Sequence, residues 1–130
     1  MADITPKESN LFLGLAGLWG AVGVIMLAAG GHPPQTGIMT TGGQFLLFHA
    51  PAVMATALQT RFGGVYKRAA LVLLLAGSGL FALEIILHTA YGSNIAGPLA
   101  PIGGGLAILG WLCVAIGAVR GDYREPPRES

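Results

Sequence analysis

Four apolar runs, at about residues 11–29, 44–60, 69–91 and 98–119, limit what this chain can fold into. Each is roughly long enough to cross ~30 Å of hydrocarbon at 1.5 Å per residue. The second is the shortest and is expected to begin earlier, near Thr41. In lipid a backbone must satisfy its own polar groups, and these runs lack the alternation of a barrel, so they read as helices. Charge agrees with this. Only 10% of the 130 residues are charged, against about 25% in a soluble domain, too few to cover a water-facing surface. The expected fold is all-α, a single integral membrane four-helix bundle over residues 1–130 with a flexible tail at 120–130.

The charges also set an orientation. The segment "RFGGVYKR" carries Arg61, Lys67 and Arg68, and the tail carries Arg120, Arg124 and Arg128. The connections at 30–43 and 92–97 carry no Lys, Arg, Asp or Glu. Basic residues collect on the cytoplasmic side, so both termini and the middle connection are expected there. The opening "MADITPKES" has two acids and a lysine, unlike a signal peptide. It reads instead as a helix start, with Thr5 as N-cap, Pro6 in the first turn and Glu8 closing a capping box. The net charge of +1 and the want of a basic stripe leave no nucleic-acid partner. The single cysteine, Cys113, excludes an intrachain disulfide and a Cys-based metal site.

Inside a membrane, helices approach each other through small residues. The first run offers Gly17 and Ala21 as a small-xxx-small pair, with Ala16 and Gly20 as a second. The fourth has a longer line: Gly103, Ala107, Gly110, Val114 and Gly117 alternate at four and three, the spacing of a left-handed bundle. These lines are expected to pack helices within the chain, or against another copy or another subunit.

The third run contains Glu84 and His88, one turn apart, on the stripe through Gly77 and Phe81. The second contains His49 on a polar line with Thr56 and Gln59. Counted from the expected outer ends, His88 lies ~4.5 Å deep, His49 ~7.5 Å and Glu84 ~10.5 Å. The three side chains are therefore expected to meet. An ionised Glu inside a bilayer costs about 2.5–3.5 kcal/mol, so Glu84 is either neutral or partnered. The cluster reads as hydrogen bonds that fix helix register. The alternative is a proton relay, a quinone pocket, or a haem or other metal site. Three ligands make a weak metal signal. Pro51, inside the second run, frees the Leu47 carbonyl and is expected to kink the helix. His32, in "GGHPP", reads as a helix C-cap.

These residues resemble the YgdD-like family of small four-span bacterial inner-membrane proteins. "TGGQFLLFHA" is similar to its second-span motif. "APIGGGLAILGWLCVAIGAVR" is similar to its last helix, and "AAGGH" to the end of its first span. The resemblance covers nearly the whole chain and implies topology without a biochemical activity. It marks His32, Phe48, His49, Pro101, Gly103, Gly104, Gly110, Trp111 and Arg120 as motif positions. Glu84, His88 and Pro51 fall outside it.

No nucleophile elbow, phosphate loop or metalloprotease motif is present. Four short spans with no inverted repeat leave little room for alternating access in a monomer. The expected function is non-enzymatic: an accessory, assembly or stabilising subunit in the bacterial inner membrane. No cofactor is expected, with haem or quinone as the alternative. The expected partners are lipid and either other membrane subunits or further copies of the chain.

Overall fold

The computed structural model describes residues 3–34, 37–60, 63–92 and 97–120. Among them are four helices: α1 (Pro6–Gly30), α2 (Ile38–Leu58), α3 (Gly64–Tyr91) and α4 (Leu99–Arg120). Three of them, α1, α3 and α4, are long and apolar enough to cross a membrane. The 21 residues of α2 are also long enough, but Thr40, Thr41, Gln44 and His49 dilute its apolar character.

Local chemistry explains the ends. Thr5 Oγ1 accepts from the Glu8 amide, and the Glu8 carboxylate accepts from the Thr5 amide, so α1 starts with a capping box. Gly92 ends α3 in the left-handed region, at φ 81, with its N–H donated to the His88 carbonyl. Helix α2 starts at Ile38, earlier than the apolar run at 44, as expected, and three residues before Thr41. Its first turns hold glycines because α1 lies against them. A Cβ on Gly43 would sit 2.7 Å from the Gly23 carbonyl oxygen, and one on Gly42 would meet Met26.

Helix α1 packs along α2, α2 on α3, and α3 on α4, while α1 and α3 barely touch. One core cluster joins Phe12, Ala16, Val53, Ala57, Leu71, Leu74 and Leu75. A second joins Met26, Met39, Leu46, Ala82 and Ile85. The α3–α4 seam is backbone on backbone: a Cβ on Gly77 would lie 2.6 Å from both the Ala107 nitrogen and the Gly103 oxygen. The buried residues of α4 are Gly103, Ala107, Gly110 and Gly117.

The seam read on α1 is different. Gly17 and Ala21 lie on its exposed side, with no neighbour near Gly17. Helix α1 instead buries Phe12, Ala16, Gly23, Met26 and Gly30, with Trp19 on the same line. That line has the same four-and-three spacing, and it also removes Phe12 and Met26 from the surroundings. Large apolar groups orient this helix, and the small residues between them let α2 come close.

The charged end of the bundle is tied by its N-terminal segment. The Asp3 carboxylate accepts from the Gly64 amide at 2.6 Å, which caps α3. Ser9 Oγ donates to the Ala57 carbonyl, and Arg68 pairs with Glu8 at 2.5 Å. Lys67, itself buried, donates to the Gln59 carbonyl just beyond α2. The Arg120 guanidinium lies 5.6 Å from the centre of the Tyr66 ring, joining α4 to α3.

Candidate functional site

Two of the buried polar side chains, His49 and Ser78, lie near the middle of the bundle, while Thr56 and Lys67 lie toward its charged end. His49 is the twelfth residue of α2, ~16 Å from the end at Ile38. Its Nδ1–H donates to the Phe45 carbonyl at 2.6 Å. Its Nε2 then carries the lone pair, and accepts from Trp111 Nε1 of α4 at 3.3 Å. Both nitrogens of a neutral imidazole are thereby used. The His49 ring stacks on Phe45, with centroids 4.3 Å apart, and Phe45 stacks on Phe81 of α3 at 4.1 Å. The Trp111 ring meets His49 edge-on at 6.0 Å.

A second tryptophan acts likewise across the other side. Trp19 Nε1 of α1 donates to Ser78 Oγ at 3.0 Å and to the Leu75 carbonyl at 3.1 Å, both on α3. Ser78 is fully buried and donates to the Leu74 carbonyl. Tryptophan favours the membrane interface, where its N–H meets water. Trp19 and Trp111 lie ~20 Å and ~18 Å along their helices, so each N–H needs a protein acceptor. Each finds one on a helix that its own helix otherwise hardly contacts. Sequence reading passed over Trp19 and Ser78, and the signal for both was a tryptophan at mid-span.

The expected meeting of His49, Glu84 and His88 does not occur. Ile85 lies against Gly42, and Phe81 stacks on Phe45. Glu84 is therefore level with the start of α2, seven residues or ~10 Å from His49. Of the α3 stripe, Phe81 meets α2 while Gly77 packs on α4, and the depth counted from residue 44 is too small because α2 begins at Ile38. Glu84 and His88 are half-buried, and among the described residues their side chains have no hydrogen bond or ion pair. Glu84→Leu is thus expected to leave the His49 bonds in place and to change stability by less than about 0.5 kcal/mol. Thermal unfolding in detergent checks it. A loss above about 1 kcal/mol would restore Glu84 as a partner of the buried histidine.

Other candidates fall outside this layer. His32 Nδ1 lies 2.8 Å from the Ala28 carbonyl, as a cap on the end of α1. Pro51 is exposed, and α2 continues past it to Leu58. Cys113 is a half-buried free thiol. Among the described residues, no three His, Cys, Asp or Glu side chains come together in a way that could hold a metal ion. A groove of about 500 Å³ opens between α1 and α3 where these helices part, walled by Val22, Leu46, Gly79, Leu80 and Ile86, with Trp19 as its one polar side chain.

Long apolar helices, tied at one end by charge and at mid-depth by two indoles, define the class: a small helical membrane protein. The chain belongs to the family described as Protein of unknown function (DUF423), which matches residues 19–104. That stretch includes Trp19, His49 and Ser78 and stops before Trp111. The chain is also similar to a UPF0382 membrane protein of Haemophilus influenzae, at 31% identity over 80 residues. The match covers 62% of this chain and 64% of that protein, so the chain spans less than two thirds of its relative. No solved structure matches.

Proposed function

We propose that this chain is a non-enzymatic, four-span protein of the bacterial inner membrane, with both termini cytoplasmic, that stabilises or helps assemble a larger membrane complex. This narrows the family to the YgdD-like type that its motifs resemble. The observation behind it is the state of the polar groups near the middle of the helices. His49, Ser78 and both indoles are bonded to one another or to backbone, which suits a scaffold better than a reaction centre.

The fourth span rests on register. Helix α2 begins where Gly30 meets Thr40 and ends where Ser9 meets Ala57, so it runs antiparallel to α1 over nearly the same depth. This shared depth supports reading α2 as a fourth span. Reporter fusions at Gly37 and at Ser130 test the topology, with periplasmic activity expected only at Gly37. Periplasmic activity at Ser130 would reverse the orientation. Gentle purification tests the role: a colourless protein carrying a stoichiometric membrane partner is expected. A Soret band would favour the haem alternative.

A further inference from the structure

We propose that the outward face of α2 is a homodimer interface, in which Gln44 of one copy hydrogen-bonds Gln44 of a second. The proposal rests on the four-span reading, since it places that face within the bilayer.

Thr41, Gln44, Phe48, Pro51, Ala55 and Leu58 repeat at three and four residues along α2, and all are exposed. That spacing forms a straight seam on a left-handed helix pair. Phe48 is 70% exposed, and Gln44 sits ~9 Å along the helix from Ile38. Among the described residues the Gln44 side chain has no hydrogen-bond partner. Thr41 differs, since its hydroxyl donates to the Gly37 carbonyl. An amide on the span side of the helix end loses most of its water, so its donors and acceptor favour a protein partner.

A second observation points the same way. Helix α2 carries polar groups on its outward side, where Thr41 and Gln44 are exposed. Its inner side is covered by α1 and α3, which leaves the Gln44 side as the part still needing cover.

The occupant follows from the chemistry of Gln44. A carboxamide both donates and accepts, so it is complementary to itself. A twofold axis along the membrane normal brings two copies of Gln44 to one depth and lets each satisfy the other, as isologous pairing requires. Phe48 and Pro51 then meet their own counterparts one and two turns further along the seam. Interhelical amide bonds of this kind hold membrane helices together.

The test uses the full chain in native membranes, with Cys113→Ser as background. Oxidation of Ala55→Cys is expected to give a covalent dimer, and oxidation of Ile108→Cys, exposed on α4, is not. Gln44→Leu is expected to weaken self-association roughly five- to thirty-fold, and Gln44→Asn to keep most of it. Dimer yields from the two cysteine variants that do not differ, or Gln44→Leu without effect, would overturn the pairing. Ala55→Cys linked to a different protein would overturn the second copy as occupant. Phe48→Cys separates the two readings. Labelling by a membrane-impermeant maleimide would show that α2 does not cross, and the four-span reading would fall with the dimer. A protected Phe48→Cys beside uncoupled Ala55→Cys would remove the dimer alone.

Discussion

Gly103→Ala is expected to lower the thermal unfolding midpoint of the detergent-solubilised protein, and Gly104→Ala, one residue along, is not. A Cβ on Gly103 would lie 2.5 Å from the Gly77 oxygen and 2.6 Å from the Phe81 nitrogen. These are backbone atoms and cannot swing aside, so α3 and α4 must separate. Overpacking of this sort costs about 1–3 kcal/mol. Nothing lies within 4 Å of a Cβ on Gly104, where alanine gains up to about 1 kcal/mol of helix propensity. Gly110→Leu, which would press on Leu74, extends the series with a bulkier group. Midpoints that fall equally at 103 and 104 would show that the loss of glycine matters and the seam does not.

His49→Leu is expected to cost about 1–3 kcal/mol, because the Trp111 N–H then lacks an acceptor at mid-depth. Trp111→Phe should cost a similar amount by leaving Nε2 of a buried imidazole unpaired. The double variant removes both partners and is expected to recover part of the loss, with a coupling energy of about 0.5–3 kcal/mol. Unfolding of the four proteins in detergent gives that value directly. Strict additivity would mean that the bond between α2 and α4 contributes nothing. Emission from Trp111, read in a Trp19→Phe background, is expected to shift when His49 is replaced.

The helices were legible in the sequence because length and apolarity force them, and the line through Gly103, Ala107 and Gly110 was legible because four-and-three spacing is visible without a partner. The start of α2 was legible only in part: it was expected near Thr41, three residues late, and depths were counted from residue 44. Thr40, Thr41, Gly42 and Gly43 have the composition of a turn, and only the backbone of α1 lying against them makes a helix the better state. That misplacement moved His49 toward the surface and created a cluster with Glu84 that the register forbids. The tryptophan bonds were also hidden. A span shows that an indole lies at mid-depth, but its acceptor is 59 residues away for Trp19 and 62 for Trp111.

The tie at the charged end fixes an order of events during synthesis. Asp3 caps a helix that begins 61 residues later, Glu8 pairs with a residue 60 further on, and Ser9 bonds a carbonyl 48 further on. None of these contacts can form until the ribosome has passed residue 57, and the last waits for Arg68. Until then the start of α1 has only its own capping box to hold it. It becomes part of the bundle when the second helical hairpin begins to emerge.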